Sequence, residues 1–334
     1  MSEANKPRNP RAAAVTLPNK LLLAHAEAGG LKSVVVLITG GASGLGKNTA
    51  LRFAQYGAKV VIVDRSQQGL DLAAKEARAA GGDVLTVRAD VTSWDDQAAA
   101  FQAAERQFGP ISIVVANAGI TDVETFYPEA SEDLKVPKRP NLTTVDVNIK
   151  GVLYTSRLAL HYLRKGDLTR LRTFITLGSI SSFMPVGGAA YYSVSKAGVL
   201  GLHRSLALDA LMNGDAFAGS GLRIIMIAPF FVRTPLINDF ISAGRLDHVK
   251  NFAQADDVSA AILHASAPPS HPAFKGEENA AARVRHGAAY CVIDQEGSLV
   301  IPFESLNNSL IRAHPEFGKR LNATVQQAPP KSKI

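Results

Sequence analysis

Short apolar runs and longer stretches with apolar positions at helical spacing alternate along most of this 334-residue chain. The runs lie at 34–39, 59–63, 84–87, 111–116, 172–177, 222–228 and 288–293. A continuous run such as Val34-Val35-Val36-Leu37-Ile38 suits a parallel strand whose sheet is covered by helices on both faces. The stretch Lys47-Asn48-Thr49-Ala50-Leu51-Arg52-Phe53-Ala54 has the helical period. The alternation predicts one α/β domain over residues 33–293, with a doubly wound parallel sheet of about seven strands and helices on both faces. Residues 1–32 form an N-terminal arm, of which Met1 to Arg11 are polar and proline-containing and suit disorder. Residues 294–334 form a C-terminal extension. Two extra segments, 121–142 and 267–285, suit a lid over a pocket or an oligomer contact.

Chemistry enters at the first strand-to-helix junction, where Thr39-Gly40-Gly41-Ala42-Ser43-Gly44-Leu45-Gly46 follows the apolar run directly. Side chains at Gly40, Gly44 and Gly46 would keep the backbone from a pyrophosphate, whose charge is favoured at the amide-rich start of a helix. The next run ends in Asp64, eighteen residues after Gly46. A carboxylate there accepts hydrogen bonds from both adenosine-ribose hydroxyls and repels a 2′-phosphate, which favours NAD over NADP. Arg65 pulls the other way, because a guanidinium beside the ribose pairs with that phosphate. Asp64 carries more weight since it occupies the strand end itself. A tight loop that binds nothing is the competing reading, and the strand–turn–helix setting with its downstream acid opposes it.

Composition narrows the field. The net charge is +7, yet the basic residues are scattered, with mild clusters such as Lys135-Lys138-Arg139, and no aromatic stacking series accompanies them. Solvated surface is therefore expected, and no nucleic-acid partner. Eight histidines show no metal-ligand spacing, so no metal site is expected. The single cysteine, Cys291, cannot form an intrachain disulfide and reads as an inert buried thiol on the last strand. No apolar run approaches the roughly 20 residues that cross a bilayer, and the N-terminus lacks the apolar centre of a secretory signal. A cytoplasmic protein without a membrane span is expected.

A second constellation lies further along. Tyr192 and Lys196 stand four apart, a spacing that brings side chains to one helix face with Cβ atoms about 5–6 Å apart. The neighbouring Tyr191 would point elsewhere. Ser179 ends the apolar run Phe174-Ile175-Thr176-Leu177-Gly178, thirteen positions before Tyr192, and Ser181 is the fallback.

In order and spacing these residues resemble the short-chain dehydrogenases/reductases, from about Val34 to Ile293. The resemblance implies a Rossmann-type fold. It places Gly40, Ser43, Gly44, Leu45 and Gly46 at the pyrophosphate, Asp64 and Arg65 at the ribose, and Asp90 and Val91 at the adenine. Asn117, Ala118 and Gly119 match the motif after the fourth predicted strand, where the asparagine is mostly structural and the last glycine lets the backbone approach the cofactor. Asn148, Ser179, Tyr192 and Lys196 match the catalytic tetrad. Tyr192 and Lys196 also count among the cofactor-binding positions, with Lys196 binding the nicotinamide ribose and Asn148 holding a water that relays the proton. Two helices, near 148–165 and 192–212, commonly pair across subunits in this family, so a homodimer or homotetramer is expected.

The physical task accounts for the tetrad. A phenol with an ordinary pKa near ~10 is a poor base at neutral pH. The Lys196 cation and an oxidised nicotinamide both favour the phenolate, making Tyr192 the acid/base. Ser179 donates to the substrate oxygen and holds it near Tyr192.

One departure from the family concerns the segment after the sixth predicted strand, where Phe230 follows Pro229 in place of a glycine. Thr234 still matches the hydroxyl that binds the carboxamide, with help from the Val232 backbone. Phe183, Met184 and Val186, then Phe230, Phe231 and Ile237, are the candidate pocket residues, which implies a hydrophobic or aromatic substrate. Met184-Pro185-Val186 and the segment after Pro229 most resemble members similar to 15-hydroxyprostaglandin dehydrogenase and fungal secondary-metabolite alcohol dehydrogenases. The expected activity is NAD-dependent oxidation of a bulky apolar secondary alcohol to a ketone, in secondary metabolism. The alternatives are an NADPH-dependent ketoreductase and a cofactor-binding regulatory protein without turnover.

Overall fold

The computed structural model describes residues 15–18, 22, 30–127, 136, 138–165, 171–184, 186–213, 221–242, 244, 246–247, 249, 252–267, 286–292 and 297–301. Met1 to Arg11, most of the segment 267–285 and the extension beyond residue 301 lie outside the described residues.

The strands are β1 (Val15–Pro18), β2 (Val35–Thr39), β3 (Lys59–Asp64), β4 (Asp83–Arg88), β5 (Ile113–Ala116), β6 (Thr173–Leu177), β7 (Arg223–Pro229), β8 (Ala289–Val292) and β9 (Gly297–Ile301). They form one sheet in the order β1-β9-β8-β7-β6-β5-β2-β3-β4. The seven apolar runs are β2 to β8, and all of these pair in parallel. The count is nine rather than seven, because β9 adds antiparallel to β8 and β1 antiparallel to β9. These two short strands pair across the length of the chain, with Val15 opposite Val300 and Pro18 opposite Gly297. A local pattern does not carry such a pairing.

The longer helices are α1 (Gly44–Gln55), α2 (Gln67–Ala79), α3 (Trp94–Phe108), α4 (Val152–Leu163), α5 (Ala190–Met212) and α7 (Ala255–Ser266), with the short α6 (Asn238–Ser242) before the last of them. Successive strand residues point to opposite faces, so β2 divides its side chains between two cores. Val36 and Ile38 join Phe53 of α1, Leu70 of α2 and Ile262 of α7. Val35 and Leu37 join Phe101 of α3, Ala159 of α4 and Val199 of α5. This coverage of both faces is why the runs are continuously apolar.

The order of strands reverses between β2 and β5, which neighbour one another although β3 and β4 intervene in sequence. A crevice opens outside the carboxyl ends of the strands at such a switch point. The residues that follow β2, β5, β6 and β7 meet there. On the far side of α5, two histidines fasten it to the sheet. His203 Nε2 lies 2.9 Å from the Gly287 carbonyl, and His286 Nε2 lies 2.8 Å from that of Ala207. His203 is fully buried and its Nδ1 has no hydrogen-bond partner.

Candidate active site

The turn after β2 has the shape its glycines allow. Gly40 has φ +64°, and a Cβ there would stand 2.7 Å from the Ala118 Cα. A Cβ on Gly46 would run into the Gly40 carbonyl and the Asn117 side chain. Asn117 clamps the turn by donating from Nδ2 to the carbonyls of Thr39 (2.9 Å) and Gly40 (3.0 Å). Ser43 precedes α1 in extended conformation without capping it through its side chain. The first-turn amides at Gly44, Leu45 and Gly46 are thus left to an anion, as a pyrophosphate cradle requires. A Gly46→Ala variant is expected to lose about 1–3 kcal/mol of stability, since the methyl group enters backbone that cannot yield cheaply. Thermal or urea denaturation checks this, and an unchanged midpoint would refute it.

Asp64 ends β3 and organises the same turn. Its Oδ2 accepts from the Ala42 amide at 3.1 Å and its Oδ1 from the Ser66 amide at 3.0 Å. Further lone pairs remain for ribose hydroxyls. Arg65 is exposed, and its carbonyl accepts from Nε of Arg88, the residue opposite Asp64 on β4. Sequence reading missed Arg88, whose place beside Asp64 depends on strand register. Asp90 is exposed and held below the usual carboxylate range, chiefly by the Thr92 amide (2.8 Å) and hydroxyl. Val91 is buried, packs on Gly151, and its carbonyl accepts from Gln97 Nε2.

Ahead of α4 the chain makes a helical turn, Thr143–Val145, and then a π-helical one, Asp146–Gly151. Asn148 sits in this wider turn, fully buried. Its Oδ1 accepts from the Ile120 amide, and its Nδ2 donates to the Ile120 carbonyl, both at 2.9 Å, and to Ser195 Oγ at 3.0 Å. The side chain is thus engaged on both sides with protein. A Cβ on Gly119 would stand 3.3 Å from Asn148 Oδ1 and 3.6 Å from Lys196 Nζ, so these groups converge on the backbone after β5.

Lys196 is buried, donates from Nζ to the Leu177 carbonyl at 2.9 Å, and lies 5.5 Å from the centre of the Tyr192 ring. Burial pushes its pKa down to about 8. The Tyr192 phenol is held above its ordinary value, first by burial and then by the charge of Asp122, while a hydrogen bond with Ser179 works in the opposite direction. In the protein alone, therefore, the phenol is kept protonated, and the Lys196 cation does not by itself reverse this.

Ser179 caps a short 3₁₀ turn, Ile180–Ser182, and its Oγ accepts from the Ser181 amide at 3.1 Å. Ser182 answers it, accepting from the Ser179 amide and donating to the Lys196 carbonyl at 2.8 Å. Ser181, the fallback, instead donates to Ser193 Oγ, away from the cavity that Ser179 lines.

That cavity, of about 550 Å³, is lined by Ser179, Tyr192 and Lys196 and by Leu45, Asn117, Gly119, Val232 and Thr234 from the expected cofactor positions. Its other wall includes Val186, Phe230, Phe231, Leu236 and Ile237. The rings of Phe230 and Phe231 lie 4.6 Å apart. Thr234 faces the glycine turn, its Cβ 3.7 Å from where a Gly44 side chain would begin. Two expected pocket residues stand elsewhere. Phe183 packs beside Met226, Ala228, Ala289 and Cys291, and Met184 is 56% exposed. Their turn leads the chain away from the cavity before Val186 returns to it.

Among the described residues no group of His, Cys, Asp or Glu is placed to hold a metal, and no helix is long and apolar enough to cross a membrane. Cys291 is buried, with its pKa pushed up to about 12.

The family described as short chain dehydrogenase matches residues 34–243. The chain is 30% identical over 238 residues to the 3-oxoacyl-[acyl-carrier-protein] reductase of Thermotoga maritima, covering 70% of this chain and 90% of that protein. It is 36% identical over 228 residues to the 5'-hydroxyaverantin dehydrogenase of Dothistroma septosporum, covering 62% and 70%. Among solved structures, the 3-ketoacyl-(acyl-carrier-protein) reductase from Brucella melitensis complexed with NADH superposes with a TM-score of 0.63 at 27% identity, covering 79% of this chain and 98% of that one.

Proposed function

The chain belongs to the short-chain dehydrogenase family, and from that premise we propose that it oxidises a bulky apolar secondary alcohol to a ketone, with NAD as oxidant and Tyr192 as acid/base. The observation that carries this reading is the cavity lined together by Ser179, Tyr192 and Lys196 and by the aliphatic and aromatic side chains of Phe230, Phe231, Leu236 and Ile237. Leu45, Gly119, Lys196 and Thr234 would hold the nicotinamide cofactor at this cavity, and when bound it would supply the hydride acceptor. Tyr192, as phenolate, takes the hydroxyl proton, and Ser179 donates a hydrogen bond to the same oxygen as it becomes a carbonyl. The alcohol thus loses a hydride and a proton, and the proton passes from Tyr192 toward Lys196 and solvent. Asn148, whose side chain is bonded to Ile120 and Ser195, sits in the π-helical turn beside this route. Leu153, Val194, Leu208 and Met212 stand exposed on α4 and α5, which supports assembly through those helices into a homodimer or homotetramer.

A second reading, an NADPH-dependent ketoreductase on a similar substrate, is favoured by Arg65 and Arg88 beside Asp64. The Thermotoga relative is itself named a reductase. Calorimetric binding separates the two. NADH is expected to bind at least about tenfold more tightly than NADPH, because the Asp64 carboxylate repels the 2′-phosphate. Asp64→Ala should then narrow or invert the ratio. A native preference for NADPH would transfer the assignment to the ketoreductase.

A further inference from the structure

We propose that Asp122 is a positioning residue that seats Tyr192 by closing the open N-terminus of the catalytic helix α5. The inference deepens the dehydrogenase reading and rests on it. Helix α5 starts from Gly187-Gly188-Ala189, a stretch with no side chain able to cap it, and Ala189 at the cap position makes no side-chain bond. The first turn of any helix leaves backbone N–H groups without partners. Here two of them go to one carboxylate from a distant part of the chain. Asp122 Oδ2 accepts from the Tyr191 amide at 3.1 Å, and its Oδ1 accepts from the Tyr192 amide at 2.6 Å. A full negative charge at a helix N-terminus is also favoured by the aligned peptide dipoles.

Asp122 is well placed to transmit geometry. It lies two residues after Ile120, whose backbone amide and carbonyl are both held by Asn148. The short segment 119–122 therefore ties Asn148 at one end to Tyr192 at the other. Beyond it, Glu124 accepts from the Tyr191 hydroxyl at 3.4 Å and from the Asn141 amide, and Phe126 packs edge-on against the Tyr191 ring at 5.3 Å. The two adjacent tyrosines thereby divide their duties. Tyr191 anchors the segment, and Tyr192 keeps its ring free for the cavity.

The charge of Asp122 has a second effect. The groups that face the Tyr192 phenol are Lys196 on its own helix, Ser179 at the end of β6, and Asp122 from the segment after β5. Of these, Asp122 opposes the phenolate, which adds to the effect of burial. Burial also raises the carboxyl of Asp122, partly offset by its two amide partners.

The test uses Asp122→Ala and Asp122→Asn in the full chain, with turnover of an apolar secondary alcohol followed across pH. Asp122→Ala should lower kcat about tenfold, because a displaced acid/base is costly, while NADH affinity stays within about twofold. Asp122→Asn, which keeps one acceptor oxygen but no charge, should fall between. Its acidic limb for oxidation should move down by about half a pH unit, a change that a purely structural role would not produce. If Asp122→Ala does not fold, the Asp122→Asn limb decides. Wild-type kcat and an unmoved limb in the variants would overturn the proposal, as would a parallel loss of NADH affinity. If the wild type turns over no alcohol, the dehydrogenase reading fails separately. Amide hydrogen exchange at Tyr191 and Tyr192 then decides on Asp122, with faster exchange in Asp122→Ala supporting it and unchanged exchange overturning it.

Discussion

Tyr192→Phe is expected to lower kcat by about a thousandfold while the fold and the affinity for NADH stay intact. Under the proposed reading, removing the phenolic oxygen removes the group that takes the alcohol's proton, and positioned acid/base groups contribute roughly 10²–10⁴ in rate. The ring itself remains, so the cavity wall between Ser179 and Lys196 is preserved. Steady-state kinetics paired with NADH calorimetry checks both halves. A variant with wild-type turnover would remove Tyr192 from the mechanism, and a wild type without turnover on any alcohol or ketone would favour the regulatory reading. The direction of the pH effect follows from the surroundings of the phenol. Since burial and Asp122 hold it protonated, oxidation should accelerate as the pH rises, whereas reduction, which needs the phenol as donor, should hold up at neutral pH.

Acid should destabilise the folded chain between pH 6.5 and about 4, by roughly 3 kcal/mol through His203 alone. Burial lowers the His203 pKa from its ordinary 6.5 to about 4, because an imidazolium there would be stripped of water. As the pH falls through 6.5 the unfolded chain takes up a proton that the folded chain refuses. The unfolded state then binds more protons, so stability is lost until about pH 4 and levels off below it. His286, also lowered chiefly by burial, acts in the same direction. Urea denaturation of the wild type and of His203→Gln across this range tests the point. The variant should show a flatter dependence on pH, and an equal slope in both proteins would place the acid sensitivity elsewhere.

Much of this was legible from residue order because it rests on local rules. Continuous apolar runs marked the seven parallel strands, since a strand covered on both faces has no wet side to alternate with. The glycine turn was legible because a Cβ on Gly40 or Gly46 has nowhere to go. Tyr192 was separable from Tyr191 by its distance from Lys196, and the structure gives Tyr191 to Glu124 and Phe126 instead. What escaped was non-local. The side chain of Asn148 in its π-helical turn meets Ile120 and Ser195, partners 28 and 47 positions away that no local pattern registers. Arg88 meets Asp64 only through strand register. Asp122 reads as an ordinary polar loop residue, although the bare start of α5 at Gly187-Gly188-Ala189 was a signal that a cap had to come from another segment.

The pairing of β1 with β9 also bears on how the molecule is made. The ribosome releases Val15–Pro18 well before Gly297–Ile301, and the two are hydrogen-bonded neighbours. The parallel strands β2 to β7 are complete long before, and a nascent domain generally begins to fold as its elements emerge. The strand β1 must therefore wait, without its β9 partner, until β2 to β8 have emerged. Closing so long a loop is entropically costly, which makes this seam a late event in folding.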